Sequence, residues 1–148
     1  MREDIQKLRS LNKEIREELA QADERMSRVL PAHFQSHERE LEQEFFLYQA
    51  LRTQLLWQMA VEEKGLILTH LQGENPQNER IQQLNSGTET IRQLFTKLKA
   101  ATAGYTPPED GCPTYDGMRE NLKHLDALYT GGAGIRDTVY QNITGGRA

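Results

Sequence analysis

Few residues of this sequence have types and spacing suited to metal chemistry. His33 and His37 lie four residues apart and are followed by Glu38, a spacing that resembles two-histidine zinc sites. A proline and a turn context precede them, so we interpret both as solvated histidines near the start of a helix. His70 and His124 are isolated and are interpreted as surface residues.

Groups for acid–base or nucleophilic catalysis are equally sparse. Glu62 and Glu63 are adjacent, so on a helix their side chains point about 100 degrees apart and do not converge on a substrate. Cys112 lies in a Pro/Gly-rich loop, and no Lys or His adjacent in the sequence would stabilise its thiolate, so the sequence does not indicate a reactive cysteine. Trp57 is interpreted as a core or interface aromatic rather than the wall of a ligand pocket. The sequence therefore does not point to an enzyme.

Polar residues interrupt the apolar stripes along the chain. The interruptions are Asn12, Gln58 with Glu62, Thr88, and Gly132 with Arg136. Each pair is spaced i, i+4, so its members lie one turn apart on the same helix face. Polar positions that face one another from four helices are the usual layout of an internal metal or cofactor site. Iron and zinc prefer imidazoles and carboxylates, and these residue types do not supply such a set.

Four amphipathic segments must position these residues. Apolar side chains recur at steps of three and four in each segment, which is the helical period. Pro31 is expected to end the first helix. The stripes predict helices over residues 2–30, 36–71, 78–103 and 114–143. We therefore predict an all-α, up-down-up-down four-helix bundle that forms a single domain over residues 1–148.

Composition and charge narrow the classes of partner and the location. The chain has 148 residues and a net charge of -4, and its basic residues are scattered, which argues against nucleic acid. The apolar runs are short and charged residues follow Met1, so we expect neither a membrane span nor a signal peptide. One cysteine cannot form an internal disulfide. These features predict a cytoplasmic protein without a membrane partner.

From Arg52 onward the sequence resembles the hemerythrin-like domain of the bacterial di-iron proteins that repair iron–sulfur clusters under nitrosative and oxidative stress. Two stretches carry the resemblance. The first, LLWQMAVEEKGLI, is similar to the family pattern ELxxHMxxEExxLF, and the second, LFTKLKAATAGYTPPEDGCPTYDGM, is similar to LLxxLRxxTxxYTPPxxACxTWxxM. The N-terminal third matches only by pattern, as NKEIREEL against HxxLRxEL. The resemblance implies a hemerythrin-like bundle.

The resemblance also implies which positions correspond to the metal ligands of the family. On the second helix, the histidine falls on Gln58 and the bridging glutamate on Glu62. The histidine of the third helix falls on Thr88. On the fourth helix, the His-x-x-x-Glu pair falls on Gly132 and Arg136.

Two further ligand positions complete the comparison. The histidine of the first helix falls on Asn12, and another family histidine lies near His33. Of all these positions, only Glu62 and His33 keep a residue type that can bind iron. A centre held by two carboxylates and five histidines cannot be held by one of each, so the resemblance implies the scaffold without its di-iron ligand set.

The two charged residues among these positions suggest a replacement for the metal. A lone charge is costly to bury. We therefore expect either that Glu62 and Arg136 form a buried ion pair, with the guanidinium in place of the lost cation, or that both reach solvent at the bundle edge.

The glycines at 131, 132 and 134 either fill space left by lost ligands in a kinked helix or open a cavity for a non-metal ligand.

These observations favour a non-catalytic binding or regulatory module that needs no cofactor and works through self-association or a protein partner. Asn12 interrupts a heptad-like stripe, so the first helix could pair between chains; packing within one bundle is the alternative. The alternative function is a metal-binding protein of altered stoichiometry in iron–sulfur repair or the stress response. In that case Glu62 and His33 would hold one iron or zinc.

Overall fold

The computed structural model describes residues 2–33, 38–76, 78–103 and 113–144. They form four helical rods and no strand. The first rod is α1 (Arg2–His33) and the third is α4 (Asn78–Ala103). The second rod joins α2 (Glu38–Ala60), a π-helical segment (Val61–Ile67) and α3 (Leu68–Leu71), and the fourth joins α5 (Pro113–Gly131) and α6 (Ala133–Thr144). None of these described helices is long and apolar enough to cross a membrane.

The helix boundaries agree with the apolar periodicity to within a few residues. The third rod spans the predicted range, and the fourth extends one residue further at each end. The first rod continues three residues past its predicted end, to His33. The prediction that Pro31 ends this helix is therefore wrong, because a proline removes one backbone N–H but keeps a helical φ angle.

The apolar stripes of the four rods share one buried core. Its largest fully buried side chains are Leu8, Ile15, Tyr48, Leu51, Leu55, Met59, Leu66, Ile67, Leu84, Ile91 and Met118. Burial of these stripes is what holds amphipathic helices together. The polar residues that interrupt the stripes are carried into the same core.

Contacts between neighbouring rods run in opposite sequence order. Between the first and second rods, Asn12 bonds to Glu62 and Asp23 bonds to Arg52. The second and third rods show the same order, since Gln58 bonds to Thr88 and Gly65 lies beside Arg80. The third and fourth rods show it in the contacts of Lys99 with Asp126 and of Thr102 with Arg119. The fourth and first rods show it in the contacts of Glu18 with Asn121 and of Asn12 with Arg136. Neighbouring rods are therefore antiparallel.

The second rod contains a π-helical segment that the periodicity did not predict. A π-helix makes i→i+5 hydrogen bonds and has a wider turn than an α-helix. Within Val61–Ile67, the buried residues are Glu62, Gly65, Leu66 and Ile67. The second rod carries two buried carboxylates, Glu44 and Glu62, and the π-helical segment begins one residue before Glu62.

Candidate functional site

The polar residues of the four rods meet inside the bundle. We call this group the polar layer; it consists of Asn12, Gln58, Glu62, Thr88, Tyr129, Arg136 and Tyr140. All of them are buried except Thr88, which is partly buried. Six of the seven thus lie out of solvent, and each is hydrogen-bonded to another member.

An ion pair lies at the centre of the polar layer. Arg136 Nε donates to Glu62 Oε2 at 3.0 Å, and Arg136 Nη2 donates to Asn12 Oδ1 at 2.9 Å. Asn12 Nδ2 in turn donates to Glu62 Oε1 at 3.1 Å. The side chains of Arg136 and Glu62 are 3% and 0% exposed. The structure thus brings the two charges together, and the alternative in which both reach solvent is wrong.

Two tyrosines extend this network across the bundle. The hydroxyl of Tyr140 donates to Glu62 Oε2, and the hydroxyl of Tyr129 donates to Gln58 Oε1 at 2.7 Å. Gln58 Nε2 donates to the Tyr140 hydroxyl at 3.1 Å and to Thr88 Oγ1 at 3.0 Å. The Thr88 hydroxyl donates a hydrogen bond to the Leu84 carbonyl, one turn earlier on α4. Side chains from all four rods are therefore linked.

Burial fixes the protonation of both phenols. It raises the pKa of Tyr140, and the charge of Glu62 and the hydrogen bond to Glu62 raise it further. Burial also raises the pKa of Tyr129, although Arg136 opposes part of this effect. The guanidinium carbon of Arg136 lies 4.5 Å from the centre of the Tyr129 ring, a favourable cation–π geometry. Both tyrosines therefore remain hydrogen-bond donors at neutral pH.

Gly132 allows α1 to approach the fourth rod beside the polar layer. The helix is interrupted at Gly132, between α5 and α6. A Cβ atom added there would lie 2.1 Å from Leu11 Cδ2. Gly131 and Gly134 have open space at the corresponding positions. Leu11 thus occupies the space beside Gly132 that a ligand side chain would need.

The polar layer does not fit the di-iron ligand set of the family that the sequence resembles. Its only carboxylate is Glu62, and both oxygens of that carboxylate already accept hydrogen bonds. The charged guanidinium of Arg136 lies 3.0 Å away and would repel a metal cation. In the described ranges, no group of three or more His, Cys, Asp or Glu side chains could hold a metal ion.

Several candidate residues lie outside the described part of the structure. His33 is the last residue of α1, and its side chain is among those that the structure does not describe. His37 and Cys112 also lie outside the described residues. The suggestion that His33 joins Glu62 in a single metal site therefore stays a prediction.

Asn12 does not lie on an open seam of the first rod. It is fully buried, and its amide bonds to Glu62 and Arg136 of its own chain. Of the two roles left open for Asn12, the structure therefore shows packing within one bundle. A polar residue in an apolar stripe has the same sequence signature whether it faces another chain or its own core.

The remaining candidates lie at the surface. Glu63 pairs with Arg16 at 2.7 Å and points away from the polar layer. The side chain of His124 is largely exposed, and His70 is partly buried. Trp57 is 39% exposed and lies against Gly87 of α4, so it is not a core residue. It lines a groove between α2 and α4, the position that the sequence interpretation had set aside.

Sequence reasoning missed the two tyrosines of the polar layer. Tyr129 lies in phase with the apolar stripe of the fourth helix, and neither it nor Tyr140 is among the candidates that the sequence indicated. A signal was present, because Tyr140 lies one turn after Arg136 on the same helix face and a buried tyrosine hydroxyl needs a partner.

Comparisons of this chain with protein-family models, with curated proteins and with solved structures found no match. The chemistry of the polar layer and of the surface therefore has to carry any functional assignment.

Proposed function

We propose that this protein is a hemerythrin-like, up-down-up-down bundle that lacks a di-iron centre and serves as a non-catalytic binding or regulatory module. The observation that carries the proposal is the buried ion pair between Glu62 and Arg136. It lies at the positions where the sequence resemblance puts metal ligands. The antiparallel order of neighbouring rods supports the up-down-up-down arrangement.

The guanidinium of Arg136 supplies the positive charge that a buried carboxylate requires. A metal ion at Glu62 would have to displace Arg136 and remove the hydrogen bonds from Asn12 and Tyr140. Loss of one partner of a fully buried pair costs about 3–5 kcal/mol, because the other charge remains without compensation. Glu62 therefore has a counter-charge and three hydrogen-bond donors without a metal, although Nη1 of Arg136 has no hydrogen-bond partner among the described residues.

Burial of the polar layer argues against catalysis. A general acid or base must reach its substrate, but Glu62 is 0% exposed and is held by three donors. Burial also raises the pKa of Tyr140 away from neutrality, so this phenol is not an acid–base group at neutral pH. The layer has the properties of a structural core network rather than those of an active site.

A binding role is supported by the distribution of exposed apolar side chains. Among the residues that the structure describes, the large exposed ones are Phe46, Trp57, Leu68 and Leu71. All four lie on the second rod. Apolar groups that share one element of the surface favour contact with another molecule. The cytoplasm is the setting that we propose, because the chain has one cysteine.

Metal analysis of the purified chain tests this proposal. The protein is produced in iron-supplemented medium, and its iron and zinc are quantified per chain by mass spectrometry. We expect far less than one equivalent of either metal. One equivalent or more that disappears in both Glu62→Ala and His33→Ala would overturn the proposal in favour of the metal protein of altered stoichiometry.

A further inference from the structure

A second stripe runs along the outward side of α2. We call it the outward stripe; it consists of Phe46, Ala50, Thr53 and Trp57, at steps of four, three and four. This is the spacing of a heptad seam. All four residues are exposed, Phe46 at 63% and Trp57 at 39%. Eleven residues separate the two aromatics, which puts them within about 20 degrees of each other around the helix.

The order of side-chain sizes along the outward stripe is symmetric: a large residue lies at each end, and two small residues lie between them. About a two-fold axis between Ala50 and Thr53, an antiparallel copy would place its Phe46 beside Trp57 of the first chain. Ala50 would then face Thr53, and small residues at a crossing point allow helix axes to approach closely. The stripe is thus complementary to itself, as a two-fold interface requires.

The charges around the outward stripe favour the same occupant. Between Phe46 and Trp57 the only charged residue is Arg52. Its guanidinium pairs with Asp23 of α1 at 2.9 Å, so it is engaged elsewhere. Charged residues make up 27% of the chain, which makes a neutral stripe distinctive. Two identical neutral stripes meet without like-charge repulsion, and the one charged residue that lines the groove next to Trp57 is Glu79 of α4.

A groove beside Trp57 offers space for an aromatic ring. It has a volume of about 690 Å³ and lies between α2 and α4. A Cβ atom at Gly87 would lie 2.8 Å from the indole ring, so the glycine lets Trp57 lie close against α4. Gln83, Ser86 and Thr90 continue the far wall. The groove starts at the end of the outward stripe where a second copy would deliver Phe46.

We propose that two copies of this chain associate through the outward stripe, antiparallel and about a two-fold axis, with Phe46 of each copy in the groove beside Trp57 of the other. This inference rests on the proposed function in that it names the partner of the binding module as a second copy. Because each chain contributes a short stripe, we expect reversible association in the micromolar range.

Sedimentation and fluorescence test the association. Trp57 is the sole tryptophan, so its emission reports directly on the stripe. Across the micromolar range we expect a monomer–dimer equilibrium and a blue shift of the emission with concentration. Phe46→Gln should weaken dimerisation at least tenfold. Ala127→Gln is the control, because Ala127 is exposed on α5 away from the second rod, and it should leave the dimer unchanged.

Charge substitutions test the antiparallel register. Ala50→Glu and Thr53→Lys should each abolish the homodimer, whereas an equimolar mixture of the two variants should form a heterodimer, because position 50 faces position 53. Circular dichroism checks that each variant is folded. A chain that stays monomeric throughout, or a dimer that survives Phe46→Gln and Ala50→Glu, overturns this inference. Bound iron would instead contradict the proposed function, so the two failures are distinguishable.

Discussion

Glu62 and Glu63 are neighbours in the sequence, yet they form ion pairs of opposite kinds. Glu62 pairs with Arg136 in the core, whereas Glu63 pairs with Arg16 at the surface, where the side chains are 28% and 41% exposed. Surface pairs contribute little because water screens both charges, and a buried pair is costly to break. The surface pair therefore serves as an internal control for the buried one.

Breaking the buried pair should destabilise the protein far more than breaking the surface pair. We expect Arg136→Met and Glu62→Gln each to lower the free energy of unfolding by about 3–5 kcal/mol. Arg16→Ala should lower it by less than about 1 kcal/mol. Urea denaturation measures all three, and the double variant at 62 and 136 should recover part of the loss. Unchanged melting temperatures for both buried variants would show that the pair contributes nothing.

The buried tyrosines should make the protein sensitive to alkali. Burial raises the pKa of Tyr48, Tyr129 and Tyr140 above the ordinary value of about 10. Above that pH the unfolded chain loses these protons and the folded chain keeps them, so stability is present below pH 10 and falls as the pH rises. Each tyrosine contributes up to about 1.4 kcal/mol per pH unit to that slope.

Substitution of one tyrosine should reduce this slope. Tyr140→Phe removes one of the phenols, and it should also lower stability at neutral pH because Glu62 loses a donor. Urea unfolding at several pH values between neutral and about pH 11 measures both effects. An alkaline slope that is the same in Tyr140→Phe and the original chain would contradict this account.

At the scale of the element, the three glycines of the fourth rod should respond differently to alanine. Gly132→Ala forces a methyl group against Leu11 and should cost about 1–3 kcal/mol, part of which Leu11→Ala should relieve. Gly131→Ala and Gly134→Ala meet open space at non-positive φ, so they should stabilise by about 0.4–1 kcal/mol. Thermal unfolding compares them, and equal effects at all three positions would refute a steric role for Gly132.

The extent of each helix could be predicted from the sequence, but its internal geometry could not. Apolar spacing located all four rods because burial follows the helical period. The π-helical segment lies inside such a stripe, where Leu66 falls in α-helical phase and Gly65 and Ile67 are buried beside it. Periodicity shows which positions are apolar and not how wide a turn is, so the π-helical segment became visible only in the structure. The glycines at 131, 132 and 134, by contrast, predict a kink where the structure interrupts the helix at Gly132.

At the scale of the whole molecule, the sequence offered the charged centre of the polar layer as one of two alternatives and did not indicate the layer's full membership. Glu62 and Arg136 are 74 residues apart, and the cost of burying a lone charge was enough to suggest that they meet. The same reasoning does not predict the role of Tyr140. A tyrosine in an apolar stripe has the pattern of a core residue, and only the structure shows the hydrogen-bond partner of its hydroxyl. Asn12 was ambiguous for a related reason, since either of two surfaces satisfies its pattern.

If the polar layer corresponds to a metal site of the family that the sequence resembles, it should bind iron when metal-binding side chains are restored at the former ligand positions. Oε1 of Glu62 faces Asn12 and Oε2 faces Arg136, and the substitutions replace both partners, whereas the hydrogen bond from Tyr140 to Oε2 remains. Removal of Arg136 also removes the repulsion of a cation. The restored variant combines Asn12→His, Gln58→His, Thr88→His and Arg136→Glu.

We expect the restored variant to bind clearly more iron per chain than the original protein, measured by mass spectrometry and by visible absorption of the ferric form. Position 132 stays glycine, because Leu11 fills the space beside it. The matched control adds Glu62→Gln, which removes the carboxylate that the imidazoles would share, and it should lose the added iron. Because circular dichroism verifies folding independently, a folded restored variant with no gain in iron would refute the correspondence between this polar layer and a di-iron site, whereas the ion pair itself would stand.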